Sequence, residues 1–328
     1  MKFRTEVEPV SPGFRIKHEN KIFTIGSCFA ENIAEYFKFY RFSILDNPFG
    51  VLYNPVSILN AVKSSKSKKR FLFDDLIYHQ SEYHSFFHHS DFSHHNAEEC
   101  LRRINSKIDE THSFLSKADI VIISYGTSVV YKHKKSGMIV SNNHKIPAKE
   151  FEKLRLTVDE ITEYANRTTA ALKELNPDAK IILTVSPVRH WRDGATENLL
   201  SKSALLLAIE KIVNKNEDFY YFPSYEILMD DLRDYRFYSE DLIHPNRQAL
   251  EYVWEKFKSV FFDEKTASTL EEIGKISTAR NHRPRNIHTG EHQKFLKSIL
   301  SKINELEKKY THLDLSGDKN YFAKDLSN

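Results

Sequence analysis

Cysteine is scarce: Cys28 and Cys100 are the only two in 328 residues. Two cysteines in so long a chain make no disulfide framework, so a reducing compartment is expected. No uninterrupted apolar stretch approaches the roughly 18 residues of a membrane span. The opening MKFRTEVEPVSPGFRIKHEN has no apolar h-region, so no secretory signal is read there and a cytoplasmic location is expected. An excess of one charge is missing too. Forty-eight Lys and Arg face 45 Asp and Glu, a formal net charge of +3, so no global field points to nucleic acid or a membrane surface. What is present is an ordinary globular composition, 40% hydrophobic and 28% charged, rich in Phe and Tyr that suit a well-filled core. The length allows one large domain or two small ones.

Short β-rich runs alternate with helical periodicities. Lys21 to Ile25 reads as a strand, followed by Phe29, Ile33, Phe37 and Tyr40 at helical spacing. Phe42 to Leu45 is a second run. Asp119 to Ser124, DIVIIS, is nearly continuous, as a strand buried on both faces should be. Thr157 and Glu160 form a capping box opening a helix with Ile161, Ala165, Leu172 and Leu175 on one stripe. Lys180 to Val185 and Phe219 to Phe222 read as the fourth and fifth strands. Leu200, Ala204, Leu207, Ala208 and Ile212 mark one helix face, and Leu250, Val253, Trp254 and Phe257 another. Such alternation predicts a five-stranded parallel sheet with helices on both faces, in the flavodoxin-like version of the doubly wound fold.

In such sheets ligands bind where the loops gather at the carboxyl ends of the strands. Those loops carry Gly26-Ser27, DNPFG (46–50), YGTS (125–128), SPVRHWRDG (186–194) and SEDLIHPN (239–246). A serine at a strand-to-helix turn sits near a helix N-terminus that favours anions. It needs a base to become a nucleophile. Asp241-x-x-His244 offers one: His244 as base, Asp241 to orient its ring. Pro245 biases His244 away from helical geometry, so the base is expected on a loop.

GSCFA, Gly26 to Ala30, is the signature of the GSCFA-domain proteins, a bacterial group related to the SGNH (GDSL-like) esterases and acyltransferases, and the chain resembles that family. The likeness runs from about Lys2 through the helix after His244. It is carried also by NPFGVLYNP (47–55), HHSDFS (88–93), GTSVVY (126–131), NNHK (142–145), TVSPVRHWRDG (184–194) and YFPSYEILMDDLRDYRFYSEDLIHPN (221–246). The SGNH relation implies an α/β/α sandwich with a Ser nucleophile after the first strand and Asp-x-x-His near the end of the core. Ser27, Asp241 and His244 match those positions. Cys28, opening the helix, is assigned the commoner role of a small, partly buried side chain. The relation also implies an oxyanion hole from the Ser N–H, a Gly after the second strand and an Asn after the third. Ser27 and Gly50 match. The third loop reads Gly126-Thr127-Ser128, without the Asn, so Thr127 is the candidate donor, with Asn142 or Arg189 as alternatives.

The remaining constellations are weighed alongside. Tyr83 to His95 holds five histidines and Asp91. It reads as part of a long insertion at about 63–118, with His89 near the site and no metal. Arg189, His190, Asn142, His144 and Lys145 are candidate substrate contacts. KSSKSKKR (63–70) reads as a solvated basic loop. Leu232 to Asp241 would place the Asp-x-x-His loop by packing and ion pairs. Residues 1–262 form the expected α/β domain, and 263–328 a helical extension with Phe295, Ile299, Ile303 and Leu306 on one stripe and a polar, mobile tail. That helix could dock on the core or on a second copy of the chain. The expected activity is a serine-dependent esterase or O-acyltransferase acting, without cofactor, on a small or carbohydrate ester. The alternative is a non-catalytic module of the same fold that binds a glycan or an anion. A nucleotide-binding flavodoxin-like protein is a third reading, opposed by the lack of a glycine-rich phosphate fingerprint in the first loop.

Overall fold

A computed structural model describes residues 4–214, 217–282, 289–324 and 326. The chain begins β1 (Lys21–Gly26), α1 (Cys28–Phe39), β2 (Ser43–Asp46) and α2 (Pro55–Lys66). A hairpin of β3 (Ile77–His79) and β4 (Glu82–His84) leads to α3 (Ala97–Leu115) and β5 (Ile120–Tyr125). Next come β6 (Val129–His133), β7 (Ile139–Val140) and β8 (Phe151–Arg155), then α4 (Val158–Leu175), β9 (Lys180–Val185) and α5 (Ala195–Val213). β10 (Phe219–Phe222) is followed by a single turn, α6 (Ser224–Glu226), and by α7 (Arg247–Phe261), α8 (Glu264–Asn281), α9 (Gly290–Lys309) and α10 (Ser316–Lys324).

The main sheet has the order β10-β9-β5-β1-β2, and every pairing is parallel. Renumbered by strand, this is 2-1-3-4-5, the flavodoxin-like order, whose switch point lies between β1 and β5. The register sets Gly26 beside Ser124, Ser124 beside Thr184 and Thr184 beside Phe222, so four strands end on one line and release their loops at one rim.

Period-two alternation sorts the strand residues between two cores. Phe23, Ile25, Val121, Ile123, Ile181 and Leu183 pack with α2, α3, α4 and α5. Ile22, Ile120, Ile122 and Ile182 pack with Phe29, Ile33 and Phe37 of α1 and Val253, Trp254 and Phe257 of α7. The Thr157–Glu160 capping box is formed as expected: the Thr157 hydroxyl accepts from the Glu160 N–H, and the Glu160 carboxylate accepts from the Thr157 N–H.

Three expectations are revised. Much of the presumed insertion is α3, a layer helix whose Cys100, Ile104 and Ile108 belong to the main core. The chain instead makes a second excursion, a small antiparallel sheet in the order β7-β6-β8, whose strands of two to five residues are too short to give a clear periodicity. On α5, Leu200 and Leu207 are exposed, and the buried face is Asn198, Ser201, Lys202, Leu205, Ala208, Ile209 and Ile212. The run 63–70 is no free loop. It starts inside α2, and Lys66, Lys69 and Arg70 pair with Glu174, Asp75 and Asp109.

The C-terminal helices build a third cluster from Ile273, Ile276, Leu296, Ile303, Leu306 and Phe322. α8 joins it to the sandwich, because Leu270 belongs to the α1–α7 core while Ile273 faces α9. Within the tail expected to be mobile, Ser316–Lys324 form α10, fastened by buried Asp318 to Arg41 (2.7 and 2.8 Å) and Arg280 (2.9 Å), while residues 325, 327 and 328 lie outside the described residues.

Candidate active site

The turn from β1 to α1 is closely constrained. Gly26 has φ +136°, and a Cβ there would lie 2.1 Å from the Ser124 carbonyl oxygen, so only glycine fits. Its N–H donates to Asn47 Oδ1 at 2.8 Å. Ser27 follows as the N-cap of α1. Its hydroxyl accepts from the Phe29 N–H and lies 2.8 Å from the Ser124 hydroxyl, with no exposed surface. Its own N–H donates to the Ser124 carbonyl at 2.9 Å.

This placement bears on both roles expected of Ser27, nucleophile and oxyanion donor. The hydroxyl is buried and committed to capping and to Ser124, and the N–H is spent on β5. Among the described residues no hydrogen bond joins Ser27 to His244. The side chain that emerges from this turn is Cys28, partly exposed at the first position of α1. Burial and then Glu31 push the Cys28 thiol pKa up, against Lys202 and the nearby backbone of Cys28 and Phe29, which favour the thiolate.

The other expected oxyanion donors are occupied as well. The Gly50 N–H closes a turn on the Asn47 carbonyl at 2.7 Å. Gly50 itself (φ +81°) is required because a Cβ would strike that of His89 at 2.2 Å. The Thr127 N–H donates to the Tyr53 carbonyl at 2.9 Å, and its hydroxyl meets Ser201 at 3.0 Å.

The Asp241–His244 pair forms as the motif predicts. Asp241 Oδ1 accepts from the N–H groups of Ile243 and His244, each at 2.9 Å, and Oδ2 lies 2.6 Å from His244 Nδ1. Hydrogen bonds from the His244 and Ile243 N–H groups and the His244 ring hold the Asp241 carboxyl down at about 2. With Nδ1 donating to Asp241, Nε2 is left as the free acceptor. The loop is fastened at its ends. Ser239 N–H donates to the His244 carbonyl, Asn246 N–H to the Phe237 carbonyl, and Asn246 also caps α7.

Arg189 and His190, expected as substrate contacts, lie on the loop between β9 and α5. The His190 and Tyr53 rings meet edge to face, their centroids 5.1 Å apart. The His190 Nε2 sits 3.2 Å from where a Cβ on Gly126 would project. Burial, helped by the charges of Lys202 and His244, lowers the His190 pKa to about 4, so its ring is neutral at pH 7. The Arg189 guanidinium lies 4.8 Å from the centre of the Trp191 ring and 5.8 Å from that of Tyr238. Arg189 and His190 are therefore at the rim.

The remaining candidates divide. His89 reaches the rim, backing on Gly50 and pairing with Asp91 at 3.1 Å. Asn142, His144 and Lys145 belong to a turn packed on the histidine-rich segment. The Asn142 N–H donates to the Phe86 carbonyl, and its side chain accepts from the His144 N–H. His144, expected as a substrate contact, is buried against His84, with Nε2 2.8 Å from the Ser85 carbonyl oxygen. Lys145 is exposed on that turn. Among the described residues, no group of three or more His, Cys, Asp or Glu side chains is arranged to hold a metal ion. No helix among them is long and apolar enough to cross a membrane.

Fold and rim together define a flavodoxin-like α/β protein with an Asp-His pair at the carboxyl edge of its sheet. The chain belongs to the GSCFA family, whose model matches residues 21–257; a model of the GSCFA domain protein C-terminal domain matches residues 273–328. Two solved structures are similar at low level. One is a carbohydrate esterase family 3 protein from Talaromyces cellulolyticus, with 11% identity, TM-score 0.32, and 77% of this chain and 99% of that chain covered. The other is an acetyl esterase mutant solved with acetate ion, with 12% identity, TM-score 0.32 and the same coverage. No curated protein matches the chain.

Proposed function

We propose that this protein is an ester hydrolase or O-acyltransferase acting on a small ester, with acylated carbohydrate as the substrate class, and that its nucleophile is the Cys28 thiol. The observation that carries this reading is the 2.6 Å Asp241–His244 hydrogen bond, which leaves His244 Nε2 as the acceptor for a proton. It is the orienter-base half of a nucleophilic site. In the first step His244 Nε2 takes the thiol proton, sulfur bonds to the acyl carbon, and the ester C–O bond breaks. The alcohol leaves with that proton. Water or an acceptor hydroxyl then attacks the thioester, giving its proton to His244, and the C–S bond breaks. The thiolate takes the proton back. The Cys28 N–H at the start of α1 is the donor closest to hand for the oxyanion, and the helix dipole adds to it.

Hydrolysis of p-nitrophenyl acetate tests the proposal. Cys28→Ala and His244→Ala should each abolish turnover above background, and Ser27→Ala should retain it. Full activity in Cys28→Ala would sink the thiol mechanism.

A second reading, the non-catalytic glycan- or anion-binding module, is favoured by one observation: the N–H groups of Ser27, Gly50 and Thr127 are all engaged within the protein. A module without an activated nucleophile should show no acyl-enzyme by mass spectrometry on mixing with the same ester.

A further inference from the structure

Arg189, on the loop that leaves β9 at the rim, is a cation without an anion. Among the described residues its guanidinium makes no salt bridge and no hydrogen bond, and its Nε is buried with no partner. Partial burial of an unpaired charge costs free energy that a bound anion would offset. Acids on its own loop and beyond β10 pair with other groups. Asp193 pairs with Lys153 at 2.6 Å, and the Glu226 carboxylate accepts from the Tyr221 hydroxyl at 2.7 and 2.9 Å. Asp230 pairs with Arg233, and Asp241 holds His244.

Aromatic rings flank the guanidinium instead. The Trp191 ring centre lies 4.8 Å from its central carbon and that of Tyr238 5.8 Å. Rings hold a guanidinium in place without neutralising it. Tyr238 also forms an antiparallel bridge with Pro245, and the Ser239 N–H donates to the His244 carbonyl at 2.8 Å. The guanidinium is thereby set against the segment that carries His244. With Nε shut in, the two Nη groups are the donors left for a ligand. Two parallel N–H groups fork onto both oxygens of a carboxylate.

We propose that Arg189 is a specificity-determining residue that binds a carboxylate on the alcohol part of the ester. This rests on the reading of the protein as an ester hydrolase or acyltransferase. In that chemistry the proton that His244 takes up leaves with the alcohol, so a group lying against the His244 segment faces the alcohol side. The substrate class narrows accordingly, from small esters in general to acylated hydroxy acids, including acylated sugar acids.

Two acetyl esters test this: para-acetoxybenzoate, and its methyl ester as the neutral counterpart. In the full-length protein at pH 7, Arg189→Gln should lower the ratio of kcat/KM for the charged ester to that for the neutral one. The fall should be about tenfold or more, the worth of one charge-assisted hydrogen bond. Arg189→Glu should lower the ratio further, because like charges repel. The ratio cancels any effect of the substitution on turnover in general. Arg189 has no internal hydrogen bond to lose, so both variants should fold, which circular dichroism checks. A ratio unchanged from the parent's in either folded variant overturns the proposal. If the parent cleaves neither ester, the proposed function falls, and calorimetric titration with para-hydroxybenzoate decides the role of Arg189 by itself. The parent should then bind it about tenfold or more tighter than Arg189→Gln does. Equal affinities, or no binding by the parent, overturn the proposal.

Discussion

The hydroxyl of Ser27 lies 2.8 Å from that of Ser124, and neither serine has exposed surface. The bond ties the start of α1 to the end of β5 across the switch point of the sheet. It commits the hydroxyl of the GSCFA serine to the fold, and on the proposed mechanism the chemistry falls to its neighbour Cys28. Ser27→Ala should therefore act on stability. Loss of an N-cap costs about 0.5–2 kcal/mol, and the orphaned Ser124 hydroxyl adds to it. Urea denaturation should show a lower midpoint while ester turnover per folded molecule stays within a few-fold.

Gly26 should tolerate nothing larger. The Ser124 carbonyl oxygen occupies the place of a Cβ, and φ is +136°. Gly26→Ala combines a backbone clash with a strained dihedral that alone costs about 1–3 kcal/mol. The soluble yield should fall sharply, and the melting temperature of what remains should drop by several degrees.

His244→Ala should cost about 10²–10⁴ in turnover, the usual worth of general-base help. Its melting temperature should barely change, because the ring is half exposed. Equal losses in activity and stability would show that the residue only holds its loop.

Asp241 makes the loop sensitive to acid. Its carboxyl titrates near 2, below the ordinary 3.8. A depressed carboxylate contributes stability that is fully present above its unfolded pKa and lost as pH falls through the folded one. The stability difference between the parent and Asp241→Asn should therefore be constant above about pH 5 and shrink between about pH 4 and pH 2. Chemical denaturation at a series of pH values measures it.

Asp318 should prove the clamp of the C-terminal helices. Burial pushes its carboxyl up, but Arg41 and Arg280 outweigh it and hold the pKa lowered. Removing one partner of a buried ion pair costs about 3–5 kcal/mol, and the partial exposure of both arginines argues for the low end. Asp318→Ala should make the chain after residue 281 the first site of limited proteolysis, with the sandwich left intact.

Periodicity alone determined the five parallel strands, because strands buried on both faces must be continuously apolar and the helices between them amphipathic. The loop inventory likewise determined the Asp241–His244 pair, whose hydrogen bonds span only three residues and so are local. The tertiary structure decided what depends on direction and on distant backbone. Ser27 and Cys28 are adjacent in sequence, but successive side chains at a helix start point about 100° apart, so one enters the sheet toward Ser124 and the other emerges. The N–H groups expected to hold an oxyanion were claimed by carbonyls of Asn47, Tyr53 and Ser124, two of them in other segments of the chain. Lys202, buried on α5 beside Asn198 and Ser201, found its partners 76 and 16 residues away at the ends of β5 and β9. That tie exists only because the parallel sheet brings those two ends together.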